Sequence, residues 1–414
     1  MHLRYSFGIE PTPGQRVALA RTFGCARVVY NDALTVRKAA WKADRSKVAT
    51  GELARRVITE AKRTSERAWL AEVSVDALQS SLRDLDAAYK NFFESVSGKR
   101  RGRKMGLPVF KKKSDSRQSI RFSKNGFRLR DHGRLYLAKI GDVKVRWSRP
   151  LPSAPSSVTV VNDPSGRYFA SFVVDVEPAE LDPVEAEVGI DLGLTTYAVL
   201  SNGKTIDNPR FLRRAERKLR TAQQTLSRKA QGSKNRAKAR VKVARAHARV
   251  TDARKDWCHQ TASRLLRDNQ AVYLEDLAVC GLARTRLAKS VHDAAWGTFR
   301  RVLMEKAVRH GRHVGVVSRW LPSSQTCAVC WVVDGKKPLH VRTWRCEGCG
   351  TLHDRDLNAS RVILAAGQAE RLNALGGPVS PGVEIPRQAR PVERGTHPKP
   401  QPVTAGRQTG IPVL

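Results

Sequence analysis

Four cysteines, Cys327, Cys330, Cys346 and Cys349, fall in two C-x2-C pairs separated by fifteen residues. No other feature of the sequence restricts the fold as tightly. Thiolates two residues apart can face one ion, and two such knuckles complete a tetrahedral zinc site. A site made of four thiolates is closed, so one structural zinc ion is expected, with no zinc chemistry. Gly350 after the second pair suits a knuckle turn, whereas Trp331 after the first is irregular there. His340 and His353 are weaker candidates as substitute ligands. The other three cysteines, Cys25, Cys258 and Cys280, are scattered singly. That is not a disulfide framework, and a reducing, cytoplasmic setting is expected. The opening stretch MHLRYSFGIEPTPGQ lacks an apolar h-region, and no run of about 18 apolar residues occurs anywhere. Neither a signal peptide nor a membrane partner is expected.

Two acids, Asp354 and Asp356, stand immediately beyond the second knuckle. Acids also interrupt two apolar strand patterns, as Asp191 in VGIDLG and as Glu275 and Asp276 in AVYLEDLAV. Asp is disfavoured within strands, so such an acid sits at a strand end, in solvent, or at a functional site. Three separated segments thus offer carboxylates from two strand ends and one helix start. Mg²⁺ takes oxygen ligands. Two ions about 4 Å apart can activate water and stabilise the leaving oxygen in one in-line displacement. The same acids serve equally as surface charges or caps, and Asp354 is well placed to N-cap the final helix. Spacing alone leaves both readings open.

The charge balance names a class of partner. There are 76 Lys and Arg against 38 Asp and Glu, a formal net charge of +38. Self-repulsion on that scale calls for a polyanion, and nucleic acid gives basic residues affinity through counterion release. With 414 residues and 41% hydrophobic content, the chain can build more than one core.

MHLRYSFGI, residues 1–9, reads as a strand, with Leu3, Tyr5 and Phe7 alternating. A helical pattern runs from about Gln15, and a second helix starts at Ser74 with the stripe Val75, Leu78, Leu82, Leu85, Tyr89 and Phe92. Its polar face carries Gln79, Arg83 and Lys90. A basic loop, Gly98–Lys113, leads into short strands with DHG and NDPSG turns, which read as a small antiparallel barrel. EPAELDPVEAE reads as a linker. Two or three strands follow, then two long basic helices between Pro209 and Asn269 that turn near GSKN. AVYLEDLAV and HVGVVSRW read as strands flanking a helix at about 294–309, and DLNASRVILAAGQAERL as a final helix. From Gly376 the sequence is rich in Pro, Gly and Arg and reads as disordered.

GIDLG, LEDL, CAVC…CEGCG and HDRDLNAS, in that order, resemble the TnpB family of transposon-encoded proteins, relatives of the type V CRISPR effector nucleases. FGCARVVYNDAL, DALQSSLRDLDAAYKNFF and LPSSQTC extend the resemblance over roughly residues 1–366. It implies a multidomain mixed α/β architecture. An antiparallel β-barrel wedge domain (1–9 and 97–180) carries an inserted helical recognition domain (10–96). A RuvC-like nuclease domain of RNase H fold (181–366) follows, interrupted by a zinc ribbon (321–353), with a disordered tail at 367–414. It implies RNA-guided cleavage of double-stranded target DNA beside a short transposon-adjacent motif. The guide RNA comes from the transposon end, and the protein is expected as a monomer in the RNA complex. By motif, Asp191, Glu275 and Asp356 are the implied ligands of two catalytic Mg²⁺ ions. Asp356 is preferred to Asp354 because the family's acid stands two places before the Asn, here Asn358. Gln79 resembles a position that reads the adjacent motif, and Gln can bond adenine at two points. The competing expectations are a transposase acting directly on transposon ends and a non-catalytic RNA-guided regulator; intact acids argue against the second.

Overall fold

The computed structural model describes residues 1–100, 102–338 and 340–374. Strand β1 (His2–Glu10) runs into helix α1 (Pro13–Asp44). Thr12 accepts from the Gln15 amide while the Gln15 side chain accepts from the Thr12 amide, a reciprocal cap that fixes the helix start. Helix α2 (Thr50–Ala54) continues through a π turn and 3₁₀ turns to α3 (Val75–Val96). Leu78, Leu82 and Leu85 of α3 are buried with Val29, Leu34, Leu53 and Leu70 in one helical core. Val75, expected in that stripe, is exposed instead, at the first residue of the helix.

Strands β2 (Gln118–Ser123), β3 (Phe127–Leu129), β4 (Arg134–Leu137), β5 (Gly141–Arg146), β6 (Ser157–Asn162) and β7 (Tyr168–Asp175) join β1 in an antiparallel sheet of order β2-β6-β7-β1-β5-β4-β3. The outer strands β2 and β3 are consecutive, joined through the turn Lys124–Gly126. The sheet therefore curls into a half-barrel, and Phe7, Phe122, Leu135, Val160 and Phe172 are buried in its core. Asp76 near the start of α3 accepts from the Ser123 amide and hydroxyl, which docks the helices on that turn.

The segment read as a linker is strapped down. Leu181 donates its amide to His310 O. Arg312, only 8% exposed, donates to Asp182 O, to Gln270 Oε1 and to Leu266 O. Guanidinium–carbonyl bonds of this kind satisfy a buried cation without a carboxylate.

The second sheet comprises β8 (Glu187–Leu192), β9 (Thr196–Leu200), β10 (Thr205–Asp207), β11 (Ala271–Glu275) and β12 (His313–Val317) in the order β10-β9-β8-β11-β12. β8, β11 and β12 are parallel; β8–β9–β10 are antiparallel. Helices α4 (Phe211–Ser227) and α5 (Lys234–Asp268) pack along each other, followed after β11 by α6 (Val279–Leu282), α7 (Ala288–Ala294) and α8 (Trp296–Arg309). β11 and β12 end earlier than their apolar runs suggest, at Glu275 and Val317. Val188, Ile190, Val272 and Leu274 face α5 and α8. The alternate positions face the last helix, α9 (Arg355–Ala374), which follows the small hairpin of β13 (Thr343–Arg345) and β14 (Leu352–Asp354). Since α9 reaches Ala374, a tail drawn from residue 367 begins inside a helix; residues 375–414 lie outside the described residues.

Helix α9 lies unusually close to the sheet. A Cβ on Gly189 would overlap the Ser360 carbonyl oxygen and come within 2.5 Å of Leu364 N. The Tyr273 ring sits where Cβ atoms on Gly315 and Gly367 would be. At the far end, Glu187 accepts from Arg371, Gln368 and Tyr273, which pins the helix end. Gly189→Val should push α9 off β8. Overpacking of this kind costs about 1–3 kcal/mol or more, so a thermal midpoint lower by several degrees is expected; an unchanged midpoint would contradict the close approach.

Candidate metal centres

The first knuckle turns at Trp331 and the second at Gly350, with φ of 64° and 72°. Trp331 N donates to Cys327 O and Gly350 N to Cys346 O, at 3.0 and 2.9 Å. Cys327 N and Cys346 N donate in turn to Val332 O and Thr351 O. The two turns are equivalent, so the tryptophan takes the left-handed conformation its counterpart gives to glycine. The Sγ atoms of Cys327, Cys330, Cys346 and Cys349 all lie within 4.8 Å of one another. Cys327–Cys349 and Cys330–Cys346 are 3.7 and 3.5 Å apart. Four thiolates about 2.3 Å from one zinc ion sit about 3.8 Å apart, so these sulfurs fit that ion. His353 is buried beside them with Nε2 3.0 Å from Cys327 Sγ, and its ring centre lies 4.8 Å from that of Trp344. It is placed as a hydrogen-bonding neighbour of a ligand. His340 is exposed.

Two of the acids are set side by side by the second sheet. Ile190 pairs with Leu274 in the parallel ladder. Asp191 and Glu275 are each one residue further on, so they occupy adjacent strands, about 4.8 Å apart, on one face. That face is covered by α9, whose second residue is Asp356. Burial pushes the Asp191 carboxyl up to about 7, helped by the charges of Asp356 and Glu275. Burial also raises Glu275, with Asp276 contributing. A cation would relieve the cost of ionising Asp191, buried and facing the charges of two other acids. The three carboxylates are less tightly drawn than the sulfurs: among the described residues only the four cysteines bring three or more ligand atoms within 4.8 Å. A pair of ions about 4 Å apart spans a wider set than one ion does.

Several neighbouring side chains complete the setting. Arg342 Nη1 lies 3.2 Å from both oxygens of Asp356. Asp276, next to Glu275, pairs with Arg300 and Arg319 instead of joining the cluster. Asp354 accepts from Leu357 N, so it caps α9. Asn358, 2% exposed, receives the Ala328 amide on Oδ1 and donates Nδ2 to Thr326 O. One side chain therefore ties the first knuckle to the helix turn that carries Asp356.

Away from these centres, α4 and α5 enclose a groove of about 730 Å³ lined by Arg214, Arg217, Lys218, Lys242, Arg245 and Arg249. Gln79 is exposed on α3, three residues past Asp76. Among the described residues no helix is long and apolar enough to cross a membrane.

Comparison with known proteins gives a consistent result. The family description "Probable transposase" (OrfB of IS605) matches residues 171–286, and "Cas12f1-like, TNB domain" matches 296–363. A "Helix-turn-helix domain" description matches residues 1–46, which here form β1 and the single long helix α1. The chain is 43% identical over 406 residues to a "Putative RNA-guided DNA endonuclease" of Streptomyces pristinaespiralis, covering 97% of each chain. It is 28% identical over 382 residues to the "Putative RNA-guided DNA endonuclease InsQ" of Escherichia coli K12, covering 88% of this chain and 92% of that one. Among solved structures, a chain of a Cas12f1–sgRNA–target DNA complex shares the fold, with a TM-score of 0.53 at 13% identity. The match covers 84% of this chain and 82% of that one. The chain belongs to the TnpB family, the OrfB proteins of IS605-type transposons.

Proposed function

We propose that the protein is an RNA-guided DNA endonuclease that cleaves double-stranded target DNA beside a short motif, acting as a monomer with its guide RNA. The reading is supported by the register that sets Asp191 and Glu275 side by side on adjacent parallel strands, and by the charges of Glu275 and Asp356 acting on buried Asp191. The strand order, with three antiparallel strands and two parallel additions, supports a RuvC-like RNase H fold for that half of the chain. The names of its full-length relatives support the RNA guide and the DNA target.

When bound, two Mg²⁺ ions supply an activated water and stabilisation of the leaving oxygen. The protein's own part is positional. Asp191, Glu275 and Asp356 hold the ions, and each must be deprotonated to do so. Asp191, the acid raised by both of the others, is the central ligand. The four thiolates hold a zinc ribbon whose role is to fix the start of α9. The α4–α5 groove grips the phosphate backbone of the guide–target duplex, whose A-form shape, not its sequence, is read there. Gln79 reads an adenine of the adjacent motif in the major groove.

The test is to purify the protein with its RNA, sequence that RNA, and add plasmid carrying the matching target. Cuts that follow the guide and require Mg²⁺ are expected. Strand joining at transposon ends would identify a transposase, and binding without cutting a regulator.

A further inference from the structure

Trp320 is 85% exposed, the greatest exposure among the large apolar side chains of the described residues. A single exposed apolar side chain is ordinary by itself; what sets Trp320 apart is the way the residues around it are held. Its setting is rigid. Leu321 N donates to Ser318 O, closing a tight turn with Trp320 at its tip. On one side Arg319 is tied back to Asp276. On the other, Leu321 packs against the cluster of Tyr273, Val317 and Ile363 beneath α9. The turn therefore has both shoulders fixed while the indole projects.

Its place matters as much as its exposure. Val317 pairs with Glu275 in the parallel ladder. Trp320 is three residues further on, at most about 10 Å of chain. The turn thus follows the same end of the sheet at which Glu275 stands. Arg300 and Arg319, held by the single carboxylate of Asp276, leave a net positive charge beside it. An aromatic face with a fixed guanidinium alongside suits an unpaired nucleotide, with base on ring and phosphate on cation.

We propose that Trp320 is a stacking platform for one base of the unpaired DNA strand entering the carboxylate site, with Arg319 holding the adjoining phosphate. Trp320 is a positioning residue: it fixes the register of the strand and leaves the acids untouched. This inference rests on the nuclease reading above.

The experiment uses the full chain with its co-purified RNA and target DNA matched to that RNA. Single abasic nucleotides are placed in turn along the strand around the cut. In the wild type, an abasic nucleotide at one position should slow cleavage about tenfold, the scale of losing one base–aromatic stack. Trp320→Ala should slow cleavage of intact DNA by a similar factor, with no further loss when the abasic nucleotide occupies that position. Trp320→Phe should recover most of the rate. A Trp320→Ala complex that cuts at the wild-type rate overturns the proposal. So does one whose defect multiplies with the abasic defect at every position, which would mark a structural or protein-binding role. If the wild-type complex does not cut at all, the nuclease reading itself falls and this inference with it.

Discussion

Asp191→Ala should abolish cleavage while target binding by the RNA complex stays close to wild type. The side chain lies under α9 beside two other acids, away from the basic groove between α4 and α5. Its loss removes the central ligand of the proposed ion pair and little of the positive surface that holds nucleic acid. A metal ion stabilises the transition state by several kcal/mol. At 1.36 kcal/mol per decade that amounts to about two to three decades or more in rate. Cleavage assays and gel-shift titrations on the same preparation separate the two effects; persistent cutting by the variant would refute the ligand assignment. The pH behaviour offers an independent check. Burial and the neighbouring acids raise Asp191 to about 7, against an ordinary value of 3.8. Between those values the folded protein binds more protons than the unfolded chain, so without metal its stability falls as pH rises from about 4 to about 7. Mg²⁺ binds the deprotonated acids, so its stabilising effect should grow over the same window. The shift of thermal midpoint on adding Mg²⁺ should be larger at pH 8 than at pH 5 in the wild type, and that difference should shrink in Asp191→Ala.

Much of this arrangement is legible in the sequence because it is written in local chemistry. The knuckles are announced by thiol spacing, and the long basic helices by an unbroken run of helix formers ending at turn residues. The acids stand out as oddities, since charge is conspicuous in an apolar strand. What brings Asp191 beside Glu275 is not legible. It is the parallel register of Ile190 with Leu274 and, like the close approach of α9 at Gly189, it is a contact between distant segments. The strap on residues 181–182 escapes a sequence reading for the same reason, because its donor, Arg312, lies 130 positions further on. Proline and acids in sequence suggest a free linker where a buried guanidinium holds one down. The reciprocal cap of Thr12 and Gln15, by contrast, is visible as T-x-x-Q but obscured by the prolines around it. The ends of β11 and β12 are overrun because apolar residues continue past the last ladder pair. Trp331 shows the limit of a residue-type rule: its position tolerates a left-handed tryptophan because the surrounding knuckle bonds dictate the turn.

Cys346→Ala should cost the protein both its zinc and its cutting activity, although Cys346 is not among the proposed catalytic ligands. Zinc bound by four thiolates contributes about 10–16 kcal/mol to folding in small domains. Among the described residues, the cluster at this region consists of Trp344, Val341, Cys327, Cys330 and Cys346. Without the ion the hairpin of β13 and β14 loses its anchor, and with it go Arg342 and the entry to α9. Asp356 lies two residues beyond β14, so it is displaced together with the hairpin. The consequence runs through Asn358, whose side chain bonds main-chain groups of the first knuckle at 2.9 and 2.7 Å. Asn358→Ala isolates that link: it should keep its zinc but leave a buried amide and carbonyl unpaired, each costing about 1–3 kcal/mol. Metal analysis should therefore find zinc near one per chain in the wild type and in Asn358→Ala, and near zero in Cys346→Ala. Cleavage should fall in both variants, and raising Mg²⁺ should restore part of it only where the zinc remains. RNA binding should survive in both, because the barrel and the α4–α5 groove lie outside the hairpin. Full activity in zinc-free Cys346→Ala would separate the two centres, leaving the knuckles with no part in holding Asp356.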